Sequence, residues 1–460
     1  MNIEYIYFYF LKFVFYKRFK LQSSFNQTRG FTIYGLNKNQ WMQVLSAWLG
    51  WLLDGYTTIA YALVALNIST IFFPAYLKVL GIVLTFAGFG VGALARSLGS
   101  LVLGNFLGDK LGRKNMLVIT ILGFSFLSAS KSILPGYNKI GTLSPIILYI
   151  ILFFEGLFAG AEYGGGSTLA MESTPPEKRG FVGSFVQSGY GTGYFIVSLV
   201  LAIISMVTGK AFPIIGWRIL FATSIIPGVI AFVIRIFTKE TNIFEEMKEK
   251  KEIDKIPIKS LFKNSPKQII IGLLITTGLL AVNTATFSFW PSIMYNLEYK
   301  EEVIGFSIAI INLVSLFGVW FGGFLADIIG GRKKPMMIYV MVFALVSYFL
   351  IKYGFTENLY DFIILFSIQA FIEAMIFSTI PAFLSEMFSK RYRTTGVGFT
   401  YNGGAIIGGF AISFIYAISF LGLVNAWLII LYIFTTLMII GVLLAPETWR
   451  KNSKEDMIRN

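Results

Sequence analysis

Long apolar runs separated by short charged stretches constrain this chain more than any other feature. A segment needs about 20 apolar residues to cross roughly 30 Å of hydrocarbon, and its backbone must satisfy its own hydrogen bonds on the way, so each run has to be a helix. Twelve runs can be placed: 41–73, 79–107, 116–134, 145–171, 180–207, 214–237, 268–297, 302–329, 336–353, 358–387, 394–419 and 423–445. The expected fold is an all-α membrane protein with twelve transmembrane helices. With 56% hydrophobic and 13% charged residues in 460, little is left for a large soluble domain.

The net charge of +14 would point to nucleic acid in a soluble protein, but its distribution points elsewhere. With both termini placed in the cytoplasm, most of the 38 Lys and Arg fall on that side, as expected of a multi-pass plasma-membrane protein. The bilayer, not nucleic acid, is the expected large partner. Away from the ends of the spans, this placement leaves Arg96 as the sole cation. Cysteine and histidine are absent, which removes disulfides, thiol nucleophiles and the usual metal ligands. There is no nucleotide-binding P-loop either. No metal, cofactor or enzymatic constellation is expected, and any proton coupling has to use carboxylates.

The sharpest punctuation is Gly104-Asn-Phe-Leu-Gly108-Asp109-Lys-Leu-Gly112-Arg113-Lys114, a short basic hairpin between two apolar runs. The glycines at four-residue spacing put a side-chain-free stripe on one helix face. The pattern returns about 218 residues later as Gly323-Phe-Leu-Ala-Asp327-Ile-Ile-Gly330-Gly331-Arg332-Lys333-Lys334. The chain therefore reads as two pseudo-symmetric six-helix bundles, 41–237 and 268–445. They are joined by a solvated cytoplasmic helix over 238–267, preceded by an extension over 1–40 and followed by a tail over 446–460. Within the extension, Ile6 to Tyr16 is too short to span and reads as an interfacial anchor or an artefact of the start site.

Ionisable residues inside the spans mark function, because an unpaired charge in hydrocarbon is costly. Asp54 and Arg96 lie roughly 20 Å from the cytoplasmic end of their helices, at one depth. They are either partners or both face a wet cavity. Glu155 and Glu162 share a face of the fourth run and bracket that depth. Three carboxyls against one cation imply that at least one is protonated, so Asp54, Glu155 and Glu162 are the candidate proton carriers. Glu373, 13 residues before Glu386, is a buried carboxylate of the second half.

The paired hairpins resemble the signature of the major facilitator superfamily. Within it, the segment Gly156-Leu-Phe-Ala-Gly160-Ala-Glu162-Tyr-Gly-Gly, followed by Glu172-Ser-Thr-Pro-Pro-Glu-Lys-Arg179-Gly180, is similar to the metabolite:proton symporter branch. Glu386 to Arg393 repeats the Glu172 to Arg179 spacing in the second half. The resemblance implies alternating access. It also implies a cytoplasmic gate latched by Asp109, Arg113, Glu172, Arg179, Asp327, Arg332, Glu386 and Arg393, with Asp109 facing the start of the eleventh helix near Thr394. The substrate would be a small polar metabolite, an organic acid ahead of a sugar, bound by Arg96, Gln187, Asn283, Trp290, Glu373 and Asn402. A monomer is expected. Departures from the branch pattern fall at Thr57, Leu152, Glu155 and Gly331. Sugar transport or uniport on the same fold, and a non-transporting membrane sensor, are the competing readings.

Overall fold

A computed structural model describes residues 32–74, 78–252, 256–355 and 358–449. The run Ile6–Tyr16 and the tail beyond Trp449 lie outside them. Among the described residues all regular structure is helical, apart from one isolated bridge between Ile33 and Leu36. The membrane helices are α1 (Lys38–Phe72), α2 (Lys78–Leu103), α3 (Arg113–Ser130), α4 (Leu143–Glu172), α5 (Arg179–Thr208) and α6 (Ile225–Phe237) in the first half. The second half has α7 (Pro266–Ala285), α8 (Glu301–Ile329), α9 (Lys333–Gly354), α10 (Leu359–Ser378), α11 (Arg393–Gly408) and α12 (Leu423–Leu444). Short loops force consecutive helices to run antiparallel. Both repeated hairpins therefore lie at one end, called here the basic end.

Three helices of the second half are broken where their continuation is still apolar. After α7 the chain turns over Thr286–Phe289 and resumes as Trp290–Asn296; α10 resumes as Ile380–Met387 and α11 as Ala411–Ala417. In the first two continuations Pro291 and Pro381 sit in the first turn, where a missing N–H costs least.

The halves meet along α5 against α8 and α2 against α11, and α4 also meets α11. Glycine makes these contacts close. A Cβ on Gly164 of α4 would lie 2.5 Å from Thr394 O and 2.9 Å from Gly398 Cα. One on Gly180 of α5 would lie 2.7 Å from Asp327 Cγ.

The glycine stripe of the first hairpin needs correction. Gly104 and Gly108 abut Thr395 and Thr394 of α11, but Gly104–Gly108 form a π-helical turn and Gly112, at φ +110°, is the corner leading into α3. The region over 238–267 also differs from a solvated helix. It forms two short helices, Asn242–Glu249 and Pro257–Asn264, that bury Phe244, Met247, Pro257 and Leu261. Their apolar residues at helical spacing need a surface, and the basic end supplies it.

Candidate functional site

The mid-membrane carboxylates of the first half are each paired with a cation. Arg96 on α2 holds Asp54 on α1 with both guanidinium nitrogens: Nη1 donates to Oδ2 at 2.6 Å, and Nη2 pairs with Oδ1. Arg96 Nη2 also donates to Thr58 at 2.8 Å. Glu162 is gripped by Arg235 of α6 and accepts from Thr120 Oγ1 at 3.0 Å. Glu155 accepts from Lys131 Nζ at 2.8 and 3.0 Å. Arg96 is therefore not the sole buried cation: Lys131 and Arg235 are each 1% exposed. Both lie near the ends of their helices, and their long stems carry the charge inward. The sequence-level expectation of a surplus carboxyl among Asp54, Glu155 and Glu162 fails, because three cations match three carboxylates.

The three pairs differ in access. The side chains of the Glu155 and Glu162 pairs are 1–8% exposed, whereas Arg96 is 17% exposed beside a fully buried Asp54. Arg96 thus keeps an accessible edge, and Tyr190 and Tyr401 lie within its electrostatic reach. Close to it is an aromatic cluster shared by both halves: Trp51 packs on Tyr163, Tyr190 and Tyr401, and Tyr163 stacks on Tyr401 at 3.6 Å between centroids. Gln187 Nε2 donates to Tyr401 at 3.4 Å. Its Oε1 and the indole N–H of Trp51 are buried without a hydrogen-bond partner in the protein, so the cluster keeps both an acceptor and a donor unused. Trp51, Tyr163, Tyr190 and Tyr401 were not singled out from the sequence, since aromatics are abundant in every span.

The remaining expected binding residues do not join that cluster. Asn402 Nδ2 lies 2.9–3.0 Å from Ser100 Oγ, Gly160 O and Gly398 O, a cross-link between the halves. Trp290 packs against Phe287 and Phe366 in the core of the second half. Asn283 and Glu373 contact each other, with Asn283 Nδ2 donating at 3.1 Å.

At the basic end, two pseudo-symmetric charge networks lock the halves together. In the first, Arg113 donates to Glu172 at 3.3 Å and to Lys390 O at 3.1 Å, and Arg393 of the other half donates to Glu172 at 3.2 Å. In the second, Arg332 reaches Glu386 at 3.2 Å and Asp327 at 3.3 Å, and Arg179 of the other half reaches Glu386 at 3.7 Å. Gly331 does not displace Arg332 from this role, because Gly330 and Gly331 both take positive φ and absorb the extra residue.

Each Asp caps a helix of the opposite half. Asp109 accepts from Thr394 N, Thr395 N and Thr395 Oγ1 at 3.2, 3.0 and 2.6 Å. Asp327 accepts from Gly180 N and Phe181 N at 2.9 and 2.8 Å. A carboxylate at a helix start is favoured by the exposed N–H groups and the dipole. In this conformation the basic end is closed.

Segments expected to be peripheral tighten that closure. Tyr34 reaches Asp327 at 3.5 Å, and Leu36 is fully buried. Glu240 accepts from Lys114 N at 3.0 Å and Thr241 N at 2.9 Å. Burial raises its carboxyl above the ordinary range, and those N–H groups and Arg113 pull it partly back.

Comparison with known proteins decides the family. A family model described as Sugar (and other) transporter matches residues 43–271, and one described as Major Facilitator Superfamily matches 273–457. The chain is 30% identical over 377 residues to the inner membrane metabolite transport protein YhjE of Escherichia coli (strain K12), covering 79% of this chain and 84% of that protein. The chain belongs to the major facilitator superfamily. It is 30% identical to the shikimate transporter of the same strain (79% and 84% covered) and to its proline/betaine transporter (80% and 75%). Its fold matches the proton:xylose symporter XylE at a TM-score of 0.75 and 16% identity, covering 91% of this chain and 99% of that one. The protein is therefore a multi-pass plasma-membrane transporter of metabolites, sugars or osmolytes, and not an enzyme.

Proposed function

We propose that this transporter carries a small carboxylate together with a proton, by alternating access between its two halves. The observation that carries the reading is the Asp54–Arg96 pair, the one of the three mid-membrane ion pairs in the first half whose cation is more than 1% exposed. Ionised Asp54 occupies both terminal nitrogens of Arg96. A proton on Asp54 releases the guanidinium, whose planar fork suits a substrate carboxylate. The empty site is neutral as Asp⁻ with Arg⁺. The loaded site is neutral as protonated Asp54 with Arg⁺ and a bound anion. Proton alone or anion alone would leave a net buried charge, and its cost couples the two ligands.

Trp51, Tyr190, Tyr401 and Gln187 supply the apolar wall and the unused polar atoms for the rest of the substrate. The basic end is assigned to the cytoplasm by its Lys and Arg content, so both termini lie there and the closed gate is the inner one. The latches there are buried while the end is closed and break and re-form through the cycle. The whole site lies within one chain, which is compatible with a monomer. The named substrates of two relatives, shikimate and proline or betaine, all carry a carboxylate, and shikimate, which has no cationic group, is the net anion that this charge balance takes.

The test is binding by the purified protein of shikimate, proline, glycine betaine and neutral xylose at several pH values. Co-binding of a proton makes affinity for an acid rise up to about tenfold per pH unit of acidification. Tight, pH-independent xylose binding with no response to the acids would refute the reading.

A further inference from the structure

Glu373 has a different chemistry from every paired carboxylate described above. It is fully buried on α10, and its hydrogen-bond partners are neutral: Asn283 Nδ2 at 3.1 Å from Oε1 and Thr286 Oγ1 at 2.8 Å from Oε2. Both partners belong to the end of α7, where the helix breaks.

The break determines where the proton must be. In a continuous helix Thr286 N would donate to Val282 O, but here it turns to Asn283 O at 3.3 Å. Val282 O loses its usual donor, and Thr286 Oγ1 stands 2.9 Å away to replace it. A hydroxyl has one hydrogen. The hydroxyl also lies 3.2 Å from Asn283 O, and with its one hydrogen on either backbone carbonyl the 2.8 Å contact to Glu373 Oε2 needs a proton from the carboxyl. A protonated Glu373 satisfies every group and leaves no net charge in the bilayer. An ionised Glu373 would draw the hydroxyl hydrogen to itself and leave Val282 O unpaired at the break.

The surroundings offer no alternative counter-charge. Helix α10 packs against α5, α7, α8 and α9. On α5, Tyr194 donates to Phe287 O at 2.9 Å, and on α9, Tyr339 donates to Gly322 O at 2.7 Å. The acidic groups of α8 are Glu301 and Glu302 at one end and Asp327 at the other, latched to Arg332; Lys352 lies near the end of α9. Among the described residues no Lys or Arg pairs with Glu373. Half-buried Asn283 is the side from which a proton can arrive. The chain is also broken at Thr379, six residues beyond Glu373.

We propose that Glu373 is a second proton-binding site of the transporter, separate from Asp54, and that its protonation holds the Thr286–Phe289 break of α7 in its present form. This deepens the symport reading and rests on it for its role in transport, but proton occupancy can be read without substrate.

The experiment is infrared difference spectroscopy of the purified, substrate-free protein in liposomes across pH, with Glu373→Gln and Thr286→Val alongside. The wild type should show a carboxylic-acid C=O band near neutral pH that disappears on alkalinisation and is missing in Glu373→Gln. Thr286→Val should retain the band at a shifted frequency, because the acid has lost its acceptor. A spin label on Ser288→Cys, in a chain that has no cysteine of its own, should change mobility through the same midpoint and become pH-independent when Glu373→Gln is added.

A band that is absent, or unchanged in both variants, overturns the proposal. So does a band removed by sodium ions at constant pH, which would make the site a cation site. The symport reading can fail separately: accumulation that ignores the proton gradient would leave the band intact.

Discussion

Asp54→Asn separates coupling from binding. The substitution keeps the shape of the side chain but deletes the charge that neutralises Arg96. Removing one partner of a buried ion pair costs about 3–5 kcal/mol, and the 17% exposure of Arg96 argues for the lower end, about 3 kcal/mol. That cost falls on the empty carrier, whose Arg96 must recross without a counter-ion. The anion-loaded carrier is neutral without any proton. At about 1.4 kcal/mol per decade, return of the empty carrier slows roughly 100-fold, while exchange of bound substrate is spared. In proteoliposomes, net uptake of labelled substrate by Asp54→Asn should fall about 100-fold, and counterflow should stay within a few-fold of wild type and lose its pH dependence. Uphill accumulation by Asp54→Asn, or parallel loss of counterflow and net uptake in a folded protein, would refute the reasoning.

Further outcomes follow from the other pairs. Lys131→Met should lower thermal stability by about 3–5 kcal/mol by stranding Glu155, and Lys131→Met with Glu155→Leu should recover most of it with transport retained; loss of coupling in the double variant would return Glu155 to the mechanism. Asp109→Asn should weaken the closed basic end by about 2 kcal/mol, the value of one charge-assisted hydrogen bond, or roughly 30-fold in population. Faster modification of a thiol placed at buried Ser184 (Ser184→Cys), in a chain without cysteine, reads that opening. Gly180→Ala should have the same effect by steric means, since its Cβ would meet Asp327 Cγ at 2.7 Å and Gly323 O at 2.9 Å.

Glu240 gives a pH prediction. Its carboxyl is raised above 4.5 in the folded protein, so folding gains from protonation at acid pH and loses stability as pH rises from 4.5 through the raised value. Glu240→Gln should therefore melt at or above the wild-type temperature at neutral pH, with the difference vanishing below pH 4.5; a variant much less stable at neutral pH would show that its N–H contacts outweigh the burial cost.

The hydropathy runs and the repeated hairpins made the fold legible, because hydrocarbon admits so few spanning structures. The charge networks of the basic end were legible for a similar reason: the Glu172–Arg179 spacing recurs at Glu386–Arg393 and the Asp109–Arg113 hairpin recurs, one residue longer, at Asp327–Arg332, and the recurrence singles out those charges from the many other Lys and Arg. The pairing of Glu155 and Glu162 was not legible. Lys131 and Arg235 sit near helix ends, where position alone suggests solvent, and only the packing of α3 on α4 and of α6 on α1 and α3 shows their heads turned inward. Arg96 with Asp54 could be matched by depth, but Asn402 and Trp290 could not be told from lining residues, because a polar or aromatic side chain that cross-links or packs has no sequence mark of its own. The role of Thr286 depended on a helix break that its sequence does not announce.

The most direct measurement is accumulation of a labelled acid, with shikimate, proline and glycine betaine tried in turn, in proteoliposomes holding an imposed inward proton gradient. Internal substrate above the external concentration, abolished by a protonophore and accompanied by alkalinisation of the outer medium, is the predicted result. Equilibration of an acid to equal concentrations, unaffected by the gradient, would contradict proton-coupled symport and leave a uniporter on the same fold.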